Sequence, residues 1–514
     1  MGDANAPRSA HDAAVAAGSA TAATTLGAVR GTAAGKADGT ALGTALSTAA
    51  GTAAGTAPGT APGGIHRFLG IPYAKPPFGD LRFAAPEPAA PWEGELLADA
   101  FGPTAPQTPY RGDLGELIKV PAIEGTNILT VNVWAPADAA NAPVVLWLHG
   151  GALERGAAAQ TGYDGGTFAR DGIVFVSANY RLGAEGFSVL EGAPSNLGLR
   201  DAQLALEWVH REVAAFGGDP ARITIMGESA GGALVAALLA RPASRALVAG
   251  AIIQSGPLDA VEQAKARRAS DAIAKKLGIP ATRAAFAATS PEELLRARTE
   301  IAAGASPLGG TPGYTLAVDP ESLPSSPADA LVDAGVPILI GTNTDEYRLW
   351  LTPEAVAGIG AAKAWLARIA MRVSGSAARA VRDAYPDASP GERLGQIVTD
   401  RLLRAPATRL AKARTAPTFV YEFAWESPVR DLRAAHALDI AFAFDLLEDD
   451  DALRLNGPDA PAALGREMHA AWVEFIRSGD PGWPAYGAAR TTRVLADPSA
   501  TVPQRRAAVV DALG

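Results

Sequence analysis

The sequence predicts an α/β fold in which a mostly parallel central sheet is flanked by helices. Three observations carry that expectation. Strand-length apolar runs at 128–134, 144–148, 173–178, 222–226, 249–253, 336–340 and 418–424 alternate with helical patterns, as they do when βαβ units build a sheet. The 514 residues are 48% hydrophobic, ample for a large core. The run at 222–226 passes through closely spaced glycines into a small-residue helical pattern that reaches Ala240, which describes a sharp strand-to-helix turn.

Taken in chain order, the first 64 residues are rich in Ala, Gly and Thr, and Gly-Thr-Ala recurs at 31, 39, 43, 51, 55 and 59. Such a segment buries little apolar area while ordering costs about 1 to 2 kcal/mol per residue, so weak order is expected over 33–63. Between the later strands, Leu204, Trp208, Val209, Val213 and Phe216 form the apolar face of a helix over 201–216. The Ala-rich stretches near 258–330 and 351–415 are helical and expected to form a cap that walls a pocket.

The turn itself, Gly227-Glu228-Ser229-Ala230-Gly231, has the form of a nucleophile elbow with Ser229 at the corner. A glycine on each flank lets two backbones approach where a side chain would not fit. A serine hydroxyl is a weak nucleophile at neutral pH and needs a base, which needs a group to orient it. The chain has six histidines, and hydrolases with this turn keep the order serine, acid, histidine, which leaves His436 and His469. His469 falls among Leu464, Met468, Trp472, Phe475 and Ile476 at helical spacing and reads as a packing residue. His436 follows a strand-like run and a loop containing Pro428, where a base can reach a strand end.

The acid is expected on the loop after the strand at 336–340, where both Asp345 and Glu346 are available and spacing does not choose between them. The acidic cluster from Glu448 to Asp451 reads as a solvated loop. The run at 144–148 ends in His149-Gly150-Gly151-Ala152, small residues suited to presenting backbone N–H groups to a developing oxyanion. Gly151, Ala152 and Ala230 are the expected donors, with His149 as a loop-positioning residue. Ser255, just after a strand, reads equally as a partner of the histidine or as a strand-end turn.

A net charge of −9 argues against a nucleic-acid surface, and the absence of cysteine removes disulfides, a catalytic thiol and thiolate metal sites. No run approaches the roughly 20 apolar residues of a membrane span. The start at Met1-Gly2-Asp3-Ala4-Asn5 lacks the basic and leucine-rich parts of a secretory signal, so a cytoplasmic protein is expected. The chemistry calls for no metal and no organic cofactor. A monomer is compatible with the sequence, which specifies no oligomeric state.

Ordered segments across about 65–487 carry a resemblance. They include Phe68-Leu69-Gly70-Ile71-Pro72-Tyr73-Ala74, Leu81-Arg82-Phe83, Trp92, Val131-Asn132-Val133-Trp134, Asn179-Tyr180-Arg181-Leu182-Gly183, Asn196-Leu197-Gly198-Leu199 and Phe216-Gly217-Gly218-Asp219-Pro220. With the elbow, they make the chain similar to the type B carboxylesterases, the family of bacterial p-nitrobenzyl esterases, animal carboxylesterases and cholinesterases, in the α/β-hydrolase fold. The resemblance implies a first strand at 24–31 with 32–64 as an expanded hairpin loop, one catalytic domain over 65–514 with helical insertions, and an acid that is Glu346 rather than Asp345. It also matches His436-Ala437-Leu438-Asp439 to the segment that carries the histidine. The implied activity is hydrolysis of a small-molecule carboxylic ester through an acyl-enzyme at Ser229, with Glu346 and His436 as partners. Cleavage of amide, carbamate or lactone bonds by the same residues is the alternative, and a silent cholinesterase-like interaction protein is a further one.

Four departures from the family pattern stand out. Ala105 and Ile128 stand where many members have a disulfide, and Thr126-Asn127 stand where a Glu-Asp pair is usual. Leu153 replaces a bulky aromatic after the oxyanion loop, and Tyr347 replaces the glycine after the glutamate. Leu153, Tyr347 and Glu228 are the expected pocket residues.

Overall fold

A computed structural model of the chain describes residues 18–34, 64–303 and 313–513. Thirteen strands form one sheet: β1 (Ser19–Thr24), β2 (Gly27–Ala34), β3 (Ile65–Pro72), β4 (Glu95–Leu97), β5 (Thr130–Pro136), β6 (Ala142–Leu148), β7 (Val174–Ala178), β8 (Gly218–Glu228), β9 (Gly250–Gln254), β10 (Ile338–Asn343), β11 (Thr418–Phe423), β12 (Thr491–Leu495) and β13 (Ala500–Pro503). Their order is β1-β2-β3-β5-β7-β6-β8-β9-β10-β11-β12-β13, with β4 paired to β2. From β7 to β12 every pairing is parallel, whereas the β1–β7 side, apart from the parallel β2–β4 pair, and the closing β12–β13 pair are antiparallel. All seven strands expected from apolar runs are present.

Why those runs fold as central strands is visible in where alternate side chains go. Val144, Leu146 and Leu148 of β6 join one core, with Val174 and Val176, Ile223 and Ile225, Ala251 and Ile253, and Ile338 and Ile340. Val145 and Trp147, Phe175, Met226, Ile252 and Leu339 join a second core on the other face. A period of two with both faces apolar gives the continuous hydrophobic runs of a parallel sheet covered on both sides. The helices Leu197–Glu212 and Ala230–Ala240 pack into the first core and Ala462–Ser478 into the second. The helix expected over 201–216 thus begins earlier, and its last four residues, Val213–Phe216, tighten into a 3-10 turn.

The segment 24–31, read as one strand, instead holds the end of β1, a turn at Thr25 and Leu26, and most of β2. The Thr24 hydroxyl bonds the backbone of Leu26 and Gly27, and this side-chain turn breaks the strand. β2 runs on to Ala34 and pairs antiparallel with β3, so only 35–63 of the expected loop falls outside the described residues. Pro337 lies just before β10, not in it, and its carbonyl accepts from the Ala251 N–H at 3.1 Å, which removes the conflict between proline and a central strand. Ala105 and Ile128, where relatives of this type carry cysteines, are both buried in the first core. Apolar packing occupies that place.

Candidate active site

The strand β8 ends at Glu228, and the helix Ala230–Ala240 starts one residue later. Ser229 between them has φ 54° and ψ −120°, a conformation that costs an L residue about 1 to 3 kcal/mol and persists only where its surroundings enforce it. Enforcement is visible on both sides of the serine: its N–H donates to the Gln254 carbonyl at 2.9 Å, and its carbonyl accepts from Ala233 N–H at 2.9 Å. A Cβ on Gly227 would strike the Gly231 backbone, and one on Gly231 would strike the Leu148 carbonyl. The spacing of the glycines is therefore a packing requirement of the turn.

Glu346 follows β10, and His436 sits on the loop after β11. The two meet: His436 Nδ1 lies 2.6 Å from Glu346 Oε2. The other carboxylate oxygen, Oε1, accepts from Ser255 Oγ at 2.6 Å and from the Asn343 N–H at 2.7 Å. Ser255 is thus a partner of the glutamate, and it also ends a strand with φ 47°. Asp345 points elsewhere and accepts from Gln396 Nε2 at 2.6 Å, so the geometry separates two acids that spacing could not.

Behind the histidine loop is a buried polar network. Asp439 accepts from Gln254 Nε2 and Tyr421 OH, each at 2.9 Å, and Asn343 Nδ2 reaches both Asp439 Oδ1 at 3.3 Å and the Ala435 carbonyl at 2.6 Å. These bonds tie 435–439 to the ends of β9, β10 and β11. A chain of buried hydrogen bonds holds a loop in one arrangement better than apolar packing does.

On its far side His436 Nε2 lies 3.0 Å from Glu228 Oε1, but without hydrogen-bond alignment, and neither atom has a hydrogen-bond partner. Burial pushes the Glu228 carboxyl up to about 8, with His436 opposing and Asp439 and Glu346 adding to the rise. Burial also works against the His436 imidazolium, yet Glu228 and Glu346 outweigh it and hold the ring up at about 9. The ring is flanked on a third side by Trp350, centroid to centroid 4.7 Å.

The oxyanion segment follows β6. Gly151 and Ala152 both have positive φ, 111° and 56°, and no backbone hydrogen bond of the described residues is donated by Gly151, Ala152 or Ala230. The Ala230 N–H is one of the free donors at the first turn of a helix, where the positive end of the dipole also lies. Gly150 abuts the serine so closely that a Cβ there would stand 2.5 Å from Glu228 Oε2 and 3.2 Å from Ser229 Cβ. Beyond the donors the loop is pinned: Glu154 pairs with Arg298 at 2.5 Å, Arg155 Nε donates to the Thr108 carbonyl at 2.8 Å, and the Gly156 N–H donates to Gln107 Oε1 at 2.8 Å. His149 stacks on Tyr180 beneath it.

Gly150, Gly151, Ala152, Glu228, Ser229 and His436 all line one cavity of about 500 Å³. Of the expected pocket residues only Glu228 is in its wall. Leu153 is packed into the first core, and Tyr347 is buried against Gly395, so the change of side-chain size at both positions is absorbed away from the cavity. The remaining wall comes from Thr108–Arg111, from Leu114, Leu117, Ile118 and Val120, from the 155–163 stretch, from Thr299, Ala302 and Ala303, from Leu349 and Trp350, and from the 437–456 region. No residue of 351–415 lines it.

Two further expectations change. The acidic cluster from Glu448 to Asp451 is not a plain solvated loop: Asp449 caps the helix Asp450–Asn456 by accepting from the Asp451 N–H, and Asp451 lines the cavity. His469 is buried, with Nδ1 2.8 Å from the Ala443 carbonyl and Nε2 3.0 Å from Asp171, far in role from Ser229. Trp350 and the 108–120 stretch carried no motif; an aromatic four residues past Glu346 is the one signal that points to Trp350. Among the described residues no group of three or more His, Asp or Glu has metal-holding geometry, and no helix is long and apolar enough to cross a membrane.

A mostly parallel sheet with a strained serine at a strand-to-helix turn and an acid-bound histidine over it defines the class, an enzyme of the α/β-hydrolase fold. Comparison with known proteins narrows it. The model of the carboxylesterase family matches residues 43–495. A para-nitrobenzyl esterase of Bacillus subtilis is 35% identical over 85% of this chain and 92% of its own length, and a phenmedipham hydrolase of Pseudarthrobacter oxydans is 34% identical over 83% and 90%. A solved carboxylesterase of Geobacillus stearothermophilus superposes with a TM-score of 0.78 at 31% identity, covering 96% of this chain and all of that one. The chain belongs to the carboxylesterase family. It is a carboxylic ester hydrolase.

Proposed function

We propose that this esterase works through Ser229, His436 and Glu346 on a small-molecule ester, with Gly151, Ala152 and Ala230 as oxyanion donors. The observation that carries the reading is the 2.6 Å contact from Glu346 to His436 Nδ1 at a cavity that also holds Ser229 on its strained corner. Held by Glu346, His436 presents Nε2 to take the Ser229 proton while Oγ attacks the ester carbonyl. The carbonyl oxygen becomes an oxyanion facing three backbone N–H groups, and collapse of the tetrahedral intermediate expels the alcohol, which takes the proton from His436. Water then adds to the acyl-enzyme by the same route, and the carboxylic acid leaves.

The test is a p-nitrophenyl ester panel of graded acyl length, run beside matching anilides. A burst of p-nitrophenol equal to the enzyme concentration, absent in Ser229→Ala, is the expected result. Steady release without a serine-dependent burst or organophosphate label on Ser229 would overturn the assignment. A cytoplasmic, monomeric enzyme without nucleic-acid or membrane partners is the accompanying proposal, supported by the acidic net charge and checked by cell fractionation and sedimentation.

A further inference from the structure

The charged groups deep in the cavity wall are matched with one another. Asp451 is paired with Arg454, and Glu228 and His436 face each other at the reacting end. The Asn456 head is unpaired, but its polar atoms are shielded from solvent. Arg155 and Tyr110 differ from these: each lines the cavity with a hydrogen-bonding group that has no partner among the described residues and is open to solvent. Arg155 Nε donates to the Thr108 carbonyl at 2.8 Å and Nη2 reaches Thr108 Oγ1 at 3.4 Å, so one edge of the guanidinium is used. The end that carries Nη1 is free. Glu154 Oε2 stands 3.6 Å from it, too far for a hydrogen bond, and Glu154 is held instead by Arg298 at 2.5 Å. One carboxylate thus serves two guanidinium groups, and a positive charge is left over at the wall.

The Arg155 side chain is 24% exposed, and its head lies among wall residues, bonded to Thr108 and stacked over the Tyr110 ring at 5.0 Å. The Tyr110 hydroxyl is pushed up to about 12 by burial, with Arg155 opposing and Glu228 and Glu154 adding to the rise, so at neutral pH it remains a donor. Donors without an acceptor, beside a surplus positive charge, suit an anion. A planar guanidinium with a free end matches the two oxygens of a carboxylate, and such charge-assisted bonds are stronger than neutral ones. We infer that Arg155 and the Tyr110 hydroxyl bind a carboxylate carried by the substrate away from the scissile bond. The favoured esters are then anionic, either half-esters of dicarboxylic acids or esters of alcohols that bear a carboxylate. The inference rests on the proposed reaction at Ser229. Arg155 follows closely on the oxyanion donors Gly151 and Ala152, and its carbonyl abuts Gly151, so one loop would hold both ends of the substrate.

The experiment has two arms. On the acyl side, methyl half-esters of succinate through suberate are compared with methyl esters in which a neutral carboxamide replaces the carboxylate. On the alcohol side, acetates of ω-hydroxyalkanoic acids are compared with acetates of the matching ω-hydroxyamides. At the length that reaches Arg155, the wild type should prefer the carboxylate by about 10- to 100-fold in kcat/KM in at least one arm, which identifies the side that carries it. Arg155→Leu should erase that ratio, and Tyr110→Phe should lower it by about threefold. Arg155 also holds Thr108 behind the oxyanion loop, so the ratio is the readout: a fault in the loop slows both esters alike. Arg155→Lys, which keeps the charge and loses the fork, should lower the ratio and carries the test if the leucine variant does not fold. Equal rates on carboxylate and carboxamide at every length in both arms, or a ratio unchanged by the Arg155 variants or by Tyr110→Phe, overturns the site as stated. Hydrolysis of p-nitrophenyl acetate that survives Ser229→Ala would instead overturn the reading at Ser229, and this inference with it.

Discussion

The two sides of the cavity are built on different principles. The side at the strand ends is polar and over-determined: Gln254, Ser255, Asn343, Glu346 and Asp439 are buried and joined by hydrogen bonds of 2.6 to 3.3 Å, and the backbone is forced to positive φ at Ala152 and Ser229. The opposite side presents aliphatic and small side chains, Leu114, Leu117, Ile118, Ala302, Ala303 and Leu455, with a few polar ones among them, Thr299, Asp451 and Asn456. Reaction requires atoms held to within tenths of an ångström, which only bonded and sterically trapped groups achieve. Shape requires volume alone, which many apolar combinations supply.

If this contrast is right, changes on the strand-end side act on turnover and those on the far side act on which ester is preferred. Ser229→Ala should lower kcat by about 10⁶-fold with an unchanged melting temperature, read in single-turnover assays. Glu346→Gln keeps the shape but disturbs the histidine's orientation and charge balance, and should cost about 10⁴-fold in kcat. Gly150→Ala drives a methyl against Glu228 and Ser229 and should cost about 10²-fold, because the oxyanion loop must move away from the serine. A loss confined to KM in any of these would break the comparison.

On the far wall, Ala302→Leu should leave p-nitrophenyl acetate hydrolysis intact and lower the octanoate-to-acetate ratio in kcat/KM by about 10-fold. Glu228→Gln tests the boundary between the sides. The base must be neutral, and His436 is held up at about 9, so kcat/KM should climb with pH from neutrality towards that value. Replacing the carboxyl removes one of the charges that raise the imidazole, so the profile of the variant should shift to lower pH. A profile that stays in place would show that the 3.0 Å approach of Glu228 to His436 has no electrostatic consequence.

The same contrast explains what could be read before the structure. The elbow was legible because Gly227 and Gly231 answer a clash that no other residue escapes, and the strands because their apolar runs reflect a sheet covered on both faces. The turn at Thr25 and Leu26 was missed because a serine-type side-chain turn inside Ala- and Thr-rich sequence has no hydrophobic signature. Leu153 and Tyr347 were expected in the pocket because they depart from the family pattern beside the oxyanion loop and the acid, yet the fold turns them into the core and against Gly395, and Trp350 takes a place at the histidine instead.

By itself, then, the sequence determined the sheet, the serine corner and the glycine loop, since each is a local requirement of backbone sterics or of amphipathic period, and chain order singled out His436 as the candidate base. Spacing left Asp345 and Glu346 open and only the resemblance implied Glu346; the tertiary structure turns Glu346 to His436, and it alone decided that Glu228 stands against the same ring and that Asn456 is left unpaired. Those outcomes depend on the direction of side chains brought together from 90 or more positions apart in the chain for Glu346 and His436, and direction across such separations is set by packing, which no spacing of residues encodes.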